Sequence, residues 1–393
     1  MEVEDVWALI DKLSFALPGE ATPLESALGM TLAQDARADL DHPPFDRSAV
    51  DGYAIGAGDD SESFVVIETI RAGESKALSL QKGQAVRIMT GAELPSAGLN
   101  VIMQEHVSFE GDAFRMVVPQ PGTNVRLRGE DFRAGDVLLA SGTVLSPVAL
   151  ATLASIGITQ PLVLRRPRVV HFTGGDEIVP AGVTPAAGQI RDANSFLVRA
   201  LLGNSRVTDV QHAHLPDDLA RARERIAAVT AAPFDVLLFS GGASVGDHDF
   251  TGQLLREMGF EIHCQQVNVR PGRPLIFATR ERQVAFGIPG NPVSHFACYH
   301  LFIARALARL MGGSPASLGP AVLDSEVPGK SNPRVTYWPA RITRSDETRR
   351  VHPVAWNSSG DLASLIGVDA LIRIEGGQQS LPEVGDIVDC LWV

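Results

Sequence analysis

The residues best placed to do chemistry lie in one short stretch, Phe239-Ser240-Gly241-Gly242-Ala243-Ser244-Val245-Gly246-Asp247-His248-Asp249. An apolar run, residues 234–239, precedes it, and an amphipathic run, 250–258, follows and stops at Gly259. Strand, glycine turn and helix start in that order make an anion cradle. Glycines let backbone N–H groups approach a phosphate-like group, and the helix N-terminus adds its positive dipole end. Ser240, Gly241, Gly242 and Ser244 would supply the donors. Asp247 and Asp249 add hard oxygen ligands of the kind Mg²⁺ takes.

Two further loops leave apolar strand patterns: Thr173-Gly174-Gly175-Asp176-Glu177, and Ile288-Pro289-Gly290-Asn291-Pro292-Val293-Ser294. Taken singly, each is more often an ordinary turn or helix start. In a parallel sheet all three would converge on one edge, and convergence makes a site. Arg270-Pro271-Gly272-Arg273 sets two guanidinium groups around a tight turn. Oxyanion binding and an exposed hairpin with solvated charges account for that fragment equally well. The segments 45–53, 87–92 and 125–131 also pass for turns. None of the ten histidines has metal-ligand spacing; His212 and His214 could share one face of a strand, though a loop or surface fits them better, and His248 sits in the glycine loop. Cys264, Cys298 and Cys390 are far apart, with no Cys-x-x-Cys pair, so a structural zinc site is not expected and Cys298 reads as core.

The elements that must position these loops follow from periodicity. Residues 1 to about 40 read as helical, with an apolar stripe at Trp7, Leu9, Ile10, Leu13 and Leu17. A second helix is predicted over 23–30, with Thr22 as cap and Glu25 three residues on. Short strands separated by Gly and Pro turns fill 43–131 (63–67, 85–89, 100–103 and 114–118). A helix returns at 147–157, with Pro first and Gly last. From 167 to about 318 strand and helix alternate: strands at 169–172, 236–239, 275–278 and 284–286, helices at 194–202, 217–231, 250–258 and 292–310. That alternation predicts a doubly wound, mostly parallel α/β sheet, whose ligands bind outside the carboxyl ends of the strands. The remainder, 319–393, reads as β, with strands at 334–342, 350–355, 370–374 and 386–393. The expected division is a discontinuous helical domain (1–42 with 132–166), a β-rich domain (43–131), an α/β domain (167–318) and a C-terminal β domain (319–393).

Bulk composition narrows the function. The chain has 393 residues and a formal charge of −12. That charge argues against general binding to nucleic acid or to anionic membranes. An anionic ligand must be held by local donors, and with only four lysines those are chiefly arginines, whose forks suit oxyanions. No apolar run reaches membrane-spanning length and the N-terminus is acidic, so a cytoplasmic protein is expected.

Taken in order, the motifs resemble the molybdopterin molybdenumtransferase family, that of MoeA and the gephyrin E domain. The matching segments are Pro43-Pro44-Phe45-Asp46 through Tyr53-Ala54, Arg87-Ile88-Met89-Thr90-Gly91-Ala92, Met103-Gln104-Glu105 and Gly129-Glu130-Asp131. They continue with Gly175-Asp176-Glu177, Gly188-Gln189-Ile190-Arg191-Asp192-Ala193-Asn194-Ser195, 240–249, Pro271-Gly272-Arg273-Pro274 and 289–294. The resemblance implies a MogA-like, molybdopterin-binding α/β third domain, a β-rich inserted domain and a barrel-like C-terminal domain. It also implies a homodimer in which the α/β domain of one subunit faces the β-rich domain of the other, with transient contact to other molybdenum cofactor biosynthesis proteins.

The reaction implied is insertion of molybdate into adenylylated molybdopterin, with Mg²⁺ and release of AMP. Residue by residue, the resemblance gives catalytic roles to Asp51, Thr90, Glu177, Asp217 and Asp249. It gives substrate contacts to Arg126, Asp131, Ser240, Gly241, Gly242, Ser244, Arg270, Arg273, Pro289, Pro292 and Ser294, and Mg²⁺ to Glu177, Asp247 and Asp249. Two alternatives stand beside it: a tungstate-handling paralogue, and a non-catalytic pterin-binding scaffold.

Overall fold

The N-terminal helix ends earlier than its apolar stripe. In the computed structural model, which describes residues 1–13, 15–119, 122–241, 250–345 and 348–393, α1 covers only Val3–Asp11. Its start is closed by Glu2 N–H donating to Asp5 Oδ2 at 2.9 Å. Val3, Val6 and Ile10 are fully buried in the core of the larger of two compact units, residues 1–20 with 163–393. Leu17 reaches the same core from beyond the helix. The helix predicted over 23–30 does not form: a single 3₁₀ turn, Leu24–Ser26, follows Pro23 with no side-chain cap. The backbone there is recruited elsewhere. Thr22 N–H donates to Pro161 O (3.1 Å), Gly29 N–H to Leu145 O (2.7 Å) and Leu32 N–H to Thr143 O (2.9 Å). Distant pairing outcompetes a local helix too short to hold itself.

The smaller unit, residues 21–162, is built on a mixed sheet. Its strands are β1 (Gly52–Gly56), β2 (Phe64–Ile70), β3 (Gln84–Ile88), β4 (Leu99–Met103), β5 (Val107–Glu110) and β6 (Ala113–Met116), in the order β4-β1-β3-β2-β6-β5. Alternation sends Ala54, Val86, Ile88 and Val101 to one buried face and Tyr53, Ile55, Phe64 and Phe114 to the other. Gly52 is required by close approach, since a Cβ there would lie 1.9 Å from Ile102 O. Helix α2 (Pro147–Ser155) is capped by Ser146, whose Oγ accepts from Ala149 N–H at 3.1 Å. Ser146→Ala should cost about 1 kcal/mol in urea denaturation.

The larger unit carries the α/β sheet. Along the chain come β7 (Val169–Gly174), α3 (Asn194–Asn204), β8 (Val210–Leu215), α4 (Leu219–Val229), β9 (Val236–Ser240), α5 (Phe250–Glu257), β10 (Glu261–Gln266), β11 (Pro274–Arg280) and β12 (Gln283–Ile288). Strand order is β8-β7-β9-β12-β11-β10. The first four are mutually parallel; β11 runs antiparallel to both β12 and β10. Every residue of β9 is buried, as a strand covered on both faces requires. One face packs Val169, Leu238 and Phe286 against α1 and α3; the other packs Phe172, Phe239 and Ile276 against Ile226 and Leu255. The helix predicted over 292–310 is interrupted. A π-helical turn, Tyr299–Ile303, separates α6 (Pro292–Cys298) from α7 (Ala304–Leu310), and the Tyr299 hydroxyl lies 2.7 Å from Leu201 O.

The C-terminal strands β13 (Leu318–Leu323), β14 (Val335–Ser345), β15 (Thr348–Pro353), β16 (Ala370–Ile374) and β17 (Ile387–Trp392) close into a barrel, β14-β15-β13-β17-β16 and back to β14. Leu323, Trp338, Ala340, Val351 and Ile372 fill it. All three cysteines are buried and unpaired, and burial pushes Cys298 up to about 12. No described helix is long and apolar enough to cross a membrane.

Candidate active site

Strand register brings the predicted loops together. Thr173 on β7 is paired with Ser240 on β9, and Ser240 with Ile288 on β12. The three strands end at one level, so their loops leave side by side. They open on a cavity of about 580 Å³ bordered by Thr173, Glu177, Asp217, Ser240, Gly241 and the Gly290-Asn291-Pro292 turn. This is the position expected for a ligand at the carboxyl edge of a doubly wound sheet. Gly175 has φ +127°, and a Cβ there would lie 2.5 Å from Glu177 Oε2, so glycine lets the Glu177 carboxylate fold over the turn at the cavity. Gly241, at φ +93°, donates its N–H to Ile288 O at 3.0 Å. The Asp217 and Asp176 carboxylates accept from each other's backbone N–H, at 3.1 and 3.3 Å. Asn194 Nδ2 donates to Gly290 O at 2.6 Å.

The other predicted residues fall elsewhere. Gly242, Ser244, Asp247 and Asp249, with His248, lie outside the described residues. Ser294 is buried within α6, 4% exposed. Neither it nor Pro289 is among the residues that border the cavity. Among the described residues no cluster of three or more His, Cys, Asp or Glu side chains is arranged to hold a metal ion. Of the three residues expected to hold Mg²⁺, Glu177 is the one the structure describes, and it stands at the cavity.

Arg270 and Arg273 belong to a separate basic group. The Arg270 guanidinium lies over the Trp356 ring, 5.3 Å from its centroid, and Arg273 Nη2 donates to Gln266 Oε1 at 3.2 Å. Arg334, which sequence reasoning missed, is their third member. Burial, and then the charges of Arg273 and Arg270, hold its guanidinium below the usual arginine range. Three guanidinium groups that repel one another favour an anion.

In the smaller unit, Gly52 on β1 is paired with Ile88 on β3, which sets Asp51 beside Thr90. Asp51 Oδ1 accepts from Thr90 N–H at 2.8 Å and from Thr90 Oγ1–H at 2.9 Å. The backbone donor first, then the hydroxyl, hold this carboxyl below its ordinary value. Its contribution to stability is therefore present above the ordinary carboxylate range and lost as pH falls through the lowered value. Thr90→Val should raise the Asp51 pKa toward the ordinary range, measured by carboxyl-carbon NMR titration. Arg126 Nε donates to Glu130 Oε2 at 2.9 Å, and its Nη2 pairs with Asp131. Both residues are thus engaged with each other.

His212 and His214 share one face of a strand, the alternative to the loop reading; His212 is half-buried and His214 exposed, as the surface reading expects. They sit on β8, facing the Thr173 hydroxyl from 3.0 and 3.5 Å. His171 and His295 were also missed. Both are buried, with Nε2 atoms 2.6 and 2.8 Å from Ser240 Oγ. A polar residue inside an apolar strand (Val-Val-His-Phe) was the available signal.

Comparison with known proteins matches three family models to this chain. They are "MoeA N-terminal region (domain I and II)" over residues 1–157, "Probable molybdopterin binding domain" over 171–309, and "MoeA C-terminal region (domain IV)" over 321–392. A molybdopterin molybdenumtransferase of Nostoc sp. is 32% identical, covering 98% of this chain and 91% of the relative. One of Haemophilus influenzae is 34% identical, covering 77% of this chain and 76% of the relative. The solved structure of a molybdopterin biosynthesis MoeA protein from Pyrococcus horikoshii superposes with a TM-score of 0.82 at 27% identity, covering 100% of this chain and 98% of that one.

Proposed function

The chain belongs to the molybdopterin molybdenumtransferase family, and on that premise we propose that it inserts molybdate into adenylylated molybdopterin and releases AMP in a Mg²⁺-dependent reaction. One observation carries this reading: Thr173, Ser240 and Ile288 in register, with their loops opening on one cavity that holds the Glu177 carboxylate. A cavity of about 580 Å³ is in the range of small-molecule sites. Its backbone-rich rim suits a flat heterocycle carrying phosphate.

The chemistry of the carboxylates expected to hold Mg²⁺ suits that cation. Glu177 is described at the cavity, and Asp247 and Asp249 follow Gly241 closely in the chain; carboxylate oxygens are the ligands Mg²⁺ prefers. When bound there, the cation would polarise phosphoryl oxygens as a Lewis acid. The chain's own residues do the rest. The glycine turns and Pro292 shape the pterin cavity. Arg270, Arg273 and Arg334 attract the oxyanion substrate, molybdate, by charge and by forked donors. Asp51, kept ionised by Thr90, and the Arg126–Asp131 pair act from the β-rich part. Asp217, pinned by Asp176, fixes the strand end that borders the cavity.

The same proposal includes a homodimer, in which the β-rich part of one subunit completes the α/β cavity of the other. It also includes a division at 1–42 with 132–166, 43–131, 167–318 and 319–393. Titration of the purified protein with molybdopterin, followed by pterin fluorescence, should saturate at one site per chain. Absence of saturable binding would overturn the reading.

A further inference from the structure

Behind the cavity wall runs a line of hydrogen bonds that the proposed reaction leaves unused. His171 on β7 is 1% exposed, Ser240 at the end of β9 5% and His295 on α6 0%. Ser240 Oγ lies 2.6 Å from His171 Nε2 and 2.8 Å from His295 Nε2. His295 Nδ1 lies 3.1 Å from Asn291 O. Asn291 in turn donates its Nδ2 to Ser359 Oγ at 2.8 Å, and Val293 N–H donates to Ser359 O at 3.0 Å. Gly241, Asn291 and Gly360, each in or next to this line, border the cavity.

Chemistry gives the line one direction. A carbonyl oxygen only accepts, so His295 carries its proton on Nδ1. A neutral imidazole then has a bare Nε2, which accepts from the Ser240 hydroxyl. With its proton committed, Ser240 Oγ accepts from His171 Nε2–H. Both rings stay neutral near pH 7. Burial brings His295 down to about 4, and burial is also the chief cause that holds His171 well below the usual histidine range. A protonated His295 would present two donors and reverse the link to Ser240. The Ser240 hydroxyl proton is therefore committed to His295 and is not available for donation to substrate.

We propose that His171, Ser240 and His295 are positioning residues: their one-way hydrogen-bond chain fixes the Ser240–Gly241 strand end against the Asn291–Pro292 turn and the Ser359–Gly360 loop, setting the cavity's width for the pterin ring. This rests on the reading of the cavity as the molybdopterin site. Buried hydrogen-bonded side-chain networks of this kind rigidify a core and favour a single arrangement.

The test combines a spectroscopic and a binding measurement on the full chain. In protein labelled with ¹⁵N-histidine, long-range ¹H–¹⁵N spectra at pH 7 should show His295 protonated at Nδ1 and His171 at Nε2. Ser240→Ala should weaken molybdopterin binding roughly tenfold, the scale of one or two lost hydrogen bonds. His295→Phe should do the same. His295→Gln, which retains an acceptor near Nε2, should recover part of the loss. A His295 protonated at Nε2, or wild-type affinity in Ser240→Ala, overturns the proposal whatever the wild type binds. Wild-type protein with the expected tautomers and no molybdopterin binding overturns it through the cavity reading instead. Should both histidine variants bind alike with equal loss, packing alone explains the site and the chain has no positioning role.

Discussion

Glu177→Ala should lower turnover by roughly 10²–10³-fold, the scale for removal of one preorganised charged group from a reaction centre, with the fold intact. The side chain is exposed, borders the cavity and is brought there by a turn that only Gly175 permits. Its removal leaves no buried partner unsatisfied, so stability should change by less than about 0.5 kcal/mol. Turnover and thermal unfolding of the same preparation check both halves. Glu177→Gln separates charge from shape. If the carboxylate serves a cation or a phosphoanhydride, the amide should be nearly as poor as alanine. Near-normal turnover in both variants would remove Glu177 from the reaction.

Arg334→Ala should raise the apparent KM for molybdate by about 10- to 100-fold, since a hydrogen bond to a charged group contributes about 1.5–3 kcal/mol. The unliganded protein should not be destabilised in proportion. The Arg334 guanidinium donates from Nη1 to Val269 O at 3.2 Å, but it also sits against the charges of Arg270 and Arg273. Removing it relieves that repulsion. Arg334→Lys keeps the charge and loses the fork, so it should restore only part of the affinity. Steady-state kinetics at several molybdate concentrations, with and without added salt, tests this. An unchanged KM accompanied by lower stability would make Arg334 a structural residue.

Much of this is legible in the sequence. The α/β core announced itself because covered parallel strands, such as Val236–Ser240, are unbroken apolar runs followed by glycine turns. The loops at Thr173, Ser240 and Ile288 could be placed on one edge because parallel strands separated by helices must all end there. What failed, failed for long-range reasons. The helix at 23–30 lost to backbone pairing with residues 143–161, which no local pattern encodes. The stripe to Leu17 was real as burial and false as helix. β1 was hidden because its start, Gly52, reads as a turn until Ile102 O is seen against it.

Site residues divide the same way. Glu177 and Asp217 sat in or beside recognisable turns. Arg334 did not, because its neighbours Arg270 and Arg273 lie more than sixty residues away in the chain. The hydroxyl of Ser240 reads as a ligand donor; that two histidines, from β7 and α6, lie within hydrogen-bond reach of it was not legible. Asp51 and Thr90 were separately visible, and their hydrogen bond followed only from the β1–β3 register.

The central claim is tested most directly by mixing the purified protein with adenylylated molybdopterin and MgCl₂, then adding molybdate and following AMP by chromatography. One AMP should appear for each molybdenum incorporated, with none before molybdate is added. AMP release that ignores molybdate, or molybdopterin bound with no AMP formed, would contradict molybdate insertion as the work of this chain.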